Sequence, residues 1–150
     1  MLLALVAACS RLAPTPTEVA PVEDEDPEVR QEREEALAHA ALLADPKEHL
    51  VIGSHCYATG QPPRGRHELD ALVRMNRVDA LRKLLRAPTA EGRVYAAIGL
   101  RRCGAMSKDE LVAFLSTIDG KVHVCAGCMV LEVTPPAAVP YYSDLDEPGL

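Results

Sequence analysis

Leu81-Arg82-Lys83-Leu84-Leu85-Arg86-Ala87-Pro88, then Arg93-Val94-Tyr95-Ala96, then Leu100-Arg101-Arg102-Cys103-Gly104, is the stretch on which the fold turns. Leu81, Leu84 and Leu85 recur at helical spacing, which makes one face of a helix over residues 78–86 apolar. Pro88 cannot continue that helix, since it lacks an N–H and its ring clashes with the preceding turn. A second helix is expected over 90–103, closed by Gly104 in the left-handed position. The pattern then returns. Leu81-x-x-Leu84-Leu85 matches Leu111-x-x-Phe114-Leu115 at an offset of 30. Arg93-x-x-Ala96-x-x-Gly99-Leu100 matches Lys121-x-x-Val124-x-x-Gly127-Cys128 at an offset of 28, so a turn two residues shorter reconciles the copies. A weaker echo lies upstream, with Ala71-Leu72 at the place of Gly99-Leu100 and Asn76 at that of Gly104. Such a period means stacked supersecondary units.

The first copy resembles a HEAT-type helical repeat. In that family a Pro follows the first helix, an Arg begins the second, and small residues line the tight helix contact. Pro88, Arg93, Ala96 and Gly99 fall at those places. Ala87 stands where the family usually has Asp, and Gly92 where it usually has Val. The second copy has no Pro in its turn and carries Lys121 in place of Arg. The resemblance covers about residues 66–133 and implies an all-α fold, a small HEAT-like stack of helical hairpins. An irregular helical bundle whose amphipathic helices mimic a repeat is the alternative. Residues 121–132 are rich in Val and read alone as strand or helix; the resemblance implies helix. HEAT-like arrays mostly bind proteins on an extended face, which implies a protein partner.

Outward from this stretch, further elements are legible. Residues 28–44 form a helix with Pro27 at its first turn and Glu28 near its positive end. Val29, Ala36, Leu37, Ala40, Leu43 and Ala44 supply its apolar stripe, and Asp45-Pro46 ends it. Residues 50–65 read as a loop, with Leu50-Val51-Ile52 either a short buried strand or a packed loop segment. Another helix is expected over 67–75, and Asn76 suits either its C′ position or the cap before residue 78. Ser107-Lys108-Asp109-Glu110 is a capping box that opens a helix buried through Leu111, Phe114, Leu115 and Ile118. Asp119-Gly120 turns the chain. Pro135-Pro136 and Pro140 end regular structure, so the helical domain runs over 28–140 and residues 141–150 are a flexible tail.

The N-terminus carries a different message. Leu5-Val6-Ala7-Ala8-Cys9 closes an apolar run with small residues and a cysteine, and resembles a bacterial lipobox. The resemblance implies cleavage before Cys9, lipid such as palmitate on its thiol, and export. Residues 1–8 are then a signal remnant, far short of the about 20 apolar residues that span a bilayer. Residues 9–27 follow as the lipidated Cys and a linker of Pro14, Pro16, Pro21, Pro27 and acids, through which neither helix nor sheet can run. Ser10 rather than Asp after Cys9 favours, by the same resemblance, the periplasmic face of the outer membrane.

Composition narrows the function. Hydrophobic content of 48% allows a real core, while aromatic content of 3% argues against a nucleotide-stacking surface. The net charge of −6 hides an asymmetry: residues 18–35 hold nine acids against two bases, and residues 64–102 ten bases against four acids. These are solvated helix faces, or an acidic arm that leans on a basic face, or a basic face that meets an acidic partner or anionic lipid. Arg82, Arg86, Arg93, Arg101 and Arg102 are the candidate partner-binding residues. Export excludes nucleic acid as a partner.

Beyond Cys9 there are Cys56, Cys103, Cys125 and Cys128, an even number that in an exported chain suggests disulfides with three possible pairings. Buried free thiols are a second reading. The sharper alternative is a thiol-redox or zinc protein, in which His123-x-Cys125-x-x-Cys128 joins Cys56 or His55 at a metal. There is no Walker loop, no dinucleotide fingerprint and no HExxH, and no catalytic grouping emerges. The expectation is therefore a non-enzymatic module without cofactor or metal.

Overall fold

The computed structural model describes residues 26–56 and 60–142. Cys9, the apolar run before it and the Pro-rich stretch up to residue 25 lie outside those residues. Five α-helices come first: α1 (Pro27–Ala44), α2 (Arg64–Arg74), α3 (Val78–Leu84), α4 (Ala90–Arg102) and α5 (Lys108–Leu115). A β-hairpin of β1 (Val122–Ala126) and β2 (Met129–Val133) follows, and then a 3-10 helix over Pro135–Tyr141. The expectation of an all-α fold is thus corrected to a mainly helical one with a small antiparallel sheet. Among the described residues no helix is long and apolar enough to cross a membrane.

α4 is the central post. Gly92 and every residue of Val94–Leu100 are buried, and the helix touches α1, α2, α3, α5 and β1. Two glycines permit this crowding. A Cβ on Gly99 would lie 2.6 Å from Leu69 Cδ1 and 2.8 Å from Leu81 Cδ2, so a bare backbone is what lets α2 and α3 close on α4. A Cβ on Gly92 would lie 2.3 Å from the Leu43 carbonyl oxygen, where the end of α1 crosses the start of α4. That contact leaves no room for a side chain at position 92.

The helix ends follow local chemistry. Asp26 caps α1 by accepting the Glu28 N–H, and Pro27 occupies the first helical position. Asn76 has φ 49° and Gly104 φ 68°, which places both in the left-handed turns that close α2 and α4. Ser107 Oγ accepts the Glu110 N–H while the Glu110 carboxylate accepts the Ser107 N–H, so the capping box is complete. α1 uses only part of its stripe: Ala36 and Leu43 are buried, while Val29 and Leu37 are exposed.

The second copy of the repeat departs most from expectation. α5 forms, but residues 121–132 are not a helix. They are strands in register Val122↔Val133 to Ala126↔Met129, turning at Gly127 with φ 61°. β-branched Val122, Val124, Val130 and Val133 favour the pleat, and Gly127 supplies the turn. Tertiary contact then fixes the choice. The Ile52 N–H donates to the His123 carbonyl and the Cys125 N–H to the Ile52 carbonyl, so Ile52 forms a short parallel bridge beside β1. Leu50-Val51-Ile52 therefore supplies a bridge to the sheet. In place of the expected second helical hairpin, the chain forms α5 and then a β-hairpin.

The chain does not leave the core at Pro140. Tyr141 is half-buried and Tyr142 buried, so the residues that composition assigns to the head of the tail are core residues.

Candidate binding surface

The most distinctive surface is the outer side of α3. Asp79, Arg82, Lys83 and Arg86 recur at helical spacing and are all exposed. Asp79 is taken by Arg77, whose guanidinium donates at 3.0 and 3.1 Å. That hydrogen bond holds the Asp79 carboxyl below, and the Arg77 guanidinium above, its ordinary range. The side chains of Arg82, Lys83 and Arg86 have no hydrogen bond or ion pair among the described residues. They form a ridge of three cations between two apolar grooves.

One groove, of about 680 Å³, has Leu85, Leu100, Ala105, Met106 and Phe114 as its floor and Arg82, Lys83 and Arg86 as its rim. The other, of about 410 Å³, lies between α1 and α3 over Leu37, Ala40, Ala41, Ala44, Leu84 and Ala87, with Arg77, Lys83 and Arg86 beside it. Position follows from sequence. Leu81 and Leu84 anchor α3 in the core, which turns Arg82, Lys83 and Arg86 outward. Cations in the last turn also complement the helix dipole.

The five arginines singled out from sequence do not share this surface. Arg82 and Arg86 do. Arg93 is half-buried and its Nε donates to the Thr89 carbonyl at 3.4 Å. Arg101 is half-buried on α4. Arg102 faces inward to a polar cluster, where it pairs with the Asp70 carboxylate and donates to Tyr142 Oη at 2.9 Å. Burial is the largest influence and opposes its charge, but the Asp70 hydrogen bond together with the charges of Tyr142 and Asp70 outweighs it, so the pKa is raised. Asp70 also accepts from Arg66 Nε at 3.2 Å, and the Arg66 guanidinium lies 4.4 Å from the Tyr142 ring centre. Burial, with Asp70 second, pushes the Tyr142 hydroxyl up to about 12. This cluster pins the C-terminal segment to α2 and α4. A second, partly buried polar contact joins His39 Nδ1 on α1 to the Glu68 carboxylate on α2.

No family model, curated protein or solved structure matches this chain.

The cysteines are divided. Cys56 and Cys125 form a disulfide that ties the loop after Ile52 to β1. Cys103 is free and half-buried, and Cys128 is free and exposed in the hairpin turn. The proposed neighbours of a metal are dispersed. Cys125 is committed to Cys56, and His123 Nδ1 pairs with Glu91 at 2.8 Å. Among the described residues no three His, Cys, Asp or Glu side chains converge on a metal-sized site.

Sequence reasoning missed Lys83 and the groove floors. Their signal was present in part, since Leu85 and Phe114 sit one position off the most buried face of their helices. Met106 and Ala105 lie in a turn, where periodicity gives no guide.

Proposed function

We propose that the chain is a non-enzymatic docking module of the cell envelope, held at the periplasmic face of the outer membrane by lipid on Cys9. Its α3 ridge receives an acidic, amphipathic segment of a protein partner. The observation that carries this reading is the ridge itself: three unpaired cations flanked by two apolar grooves. Cations without partners attract an acidic segment over a distance, and apolar floors reward its hydrophobic side chains once it arrives. The α3–α4 pair, with Pro88, Arg93, Ala96 and Gly99 in place, is read here as a single HEAT-like hairpin that presents the ridge. The disulfide accords with an oxidising compartment. The thiol or zinc alternative has less support, because Cys125 is already bonded and no ligand cluster forms among the described residues.

The test has two parts. The intact mass of protein from the native host should show lipid on Cys9; an unprocessed Met1 overturns the anchor. Anisotropy with fluorescent acidic amphipathic helical peptides should show binding that weakens with salt. The double variant Arg82→Glu and Arg86→Glu should lose about tenfold or more in affinity, the scale of charge pairs lost at an interface. Unchanged affinity in that variant, or no binding in low salt, removes the ridge from the function.

A further inference from the structure

β2 is an edge that none of the described residues covers. The bridge from Ile52 uses the outward groups of His123 and Cys125 on β1, so Val122, Val124 and Ala126 point their backbone groups at β2. Their register partners Val133, Leu131 and Met129 point back. By alternation, the N–H and C=O of Val130 and Glu132 point away from the sheet. The sheet ends there, and among the described residues no segment takes up those groups. The side chains are exposed as well: Met129 is 61%, Val130 44% and Leu131 38% accessible.

Folded proteins usually blunt such an edge with Lys, Pro or a bulge. β2 has none of these. Its one charge, Glu132, is paired with Lys121, whose Nζ lies at 3.8 Å just before β1, and has His123 Nε2 at 3.7 Å. The edge therefore presents backbone hydrogen-bonding groups and apolar side chains, with little charge to repel a like edge.

We propose that β2 pairs antiparallel with β2 of a second copy of this chain, about a two-fold axis at Leu131. The phase of the hydrogen bonds selects this register. Val130 of one copy and Glu132 of the other then exchange both N–H···O bonds, which uses every outward group within the strand. Leu131 meets Leu131 of the second copy at a non-hydrogen-bonded site, where side chains approach closest, and Met129 meets Val133. A shift that centred the axis on Glu132 would set two carboxylates opposite each other. The two hairpins become one four-stranded sheet, an isologous interface with closed symmetry. It forms independently of what the α3 ridge binds.

The experiment uses the full chain carrying Cys9→Ser, oxidised, in sedimentation equilibrium. A dimer is expected. Val130→Pro removes only an outward N–H and should shift the protein to monomer while leaving its far-UV spectrum and urea midpoint in place. In a Cys103→Ser, Cys128→Ser background, Leu131→Cys should form an intermolecular disulfide on mild oxidation, because a non-hydrogen-bonded antiparallel pair sits within bridging distance. Val130→Cys should not. Native Cys128 should not bridge either, since its two copies lie roughly 20 Å apart at about 3.4 Å per residue. A monomer at all concentrations overturns the proposal. So does a dimer that survives Val130→Pro, or cross-linking at residue 130 in preference to 131.

Discussion

Cys103 and Cys128 are both free, but their surroundings differ enough to separate their chemistry. Cys128 is exposed in the hairpin turn, whereas Cys103 is half-buried at the end of α4 and burial pushes its thiol up from the ordinary value. Alkylation needs the thiolate and needs access. Iodoacetamide near neutral pH should therefore label Cys128 first and Cys103 slowly, and should reach Cys56 and Cys125 only after reduction. Time-resolved mass spectrometry of the peptides reads this order, and equal rates at residues 103 and 128 would contradict it. Four cysteines were legible as a set, but not their pairing. The choice rests on Gly53, where an added Cβ would lie 3.0 Å from Cys125 Cβ. A bare backbone there lets the loop lie against β1 and brings Cys56 to it. Nothing in the spacing of the cysteines encodes that approach. The arginines illustrate the same limit. Arg102 and Arg82 look alike in sequence, yet one is drawn inward by Asp70 and Tyr142 and the other is turned outward by the burial of Leu81.

At the level of elements, what is local was legible and what is non-local was not. The capping box of α5 needs only four consecutive residues, and it forms as its sequence dictates. Hydrogen bonds from Ser107, the backbone N–H first, hold the Glu110 carboxyl below its ordinary range. A lowered folded pKa means the contribution is present above the unfolded value, about 4.3 for Glu, and is lost as pH falls through the folded one. Glu110→Ala should therefore melt below the parent protein near neutral pH, and the two melting curves should converge in acid. Thermal scans at both ends of that range check it; a gap that persists in acid would mean the effect is packing, not the ionised cap. The hairpin shows the opposite case. Its Val-rich stretch fits strand or helix by composition, and only the resemblance to a helical repeat implies helix. The deciding contact is Ile52, some seventy positions away, together with the left-handed turn at Gly127.

At the scale of the whole molecule, short helices are closed by three ties that join distant parts of the chain. The Cys56–Cys125 disulfide encloses α2 to α5. Glu91 at the start of α4 accepts the His123 N–H at 3.2 Å and so holds β1. Tyr142, with Arg66, Arg102 and Asp70, fastens the end of the described chain to α2 and α4. The acidic run after it makes a tail of the whole segment on composition, whereas the burial of Tyr142 shows that the core reaches at least that residue. These ties should differ in strength by their physics. A disulfide spanning 69 residues restricts the unfolded chain, and the chain-entropy account puts that at about 4 kcal/mol. The Tyr142 hydroxyl contributes hydrogen bonds that are exchanged with water on unfolding, a net of about 1 kcal/mol. Urea unfolding should thus show a large loss for the Cys56→Ala, Cys125→Ala pair and a small one for Tyr142→Phe. The ring over Arg66 is kept in that second variant, so the loss isolates the hydroxyl. If the reverse order were measured, the polar cluster rather than the covalent tie would be what closes the fold. Reduction alone would then leave the helical body and its α3 ridge intact.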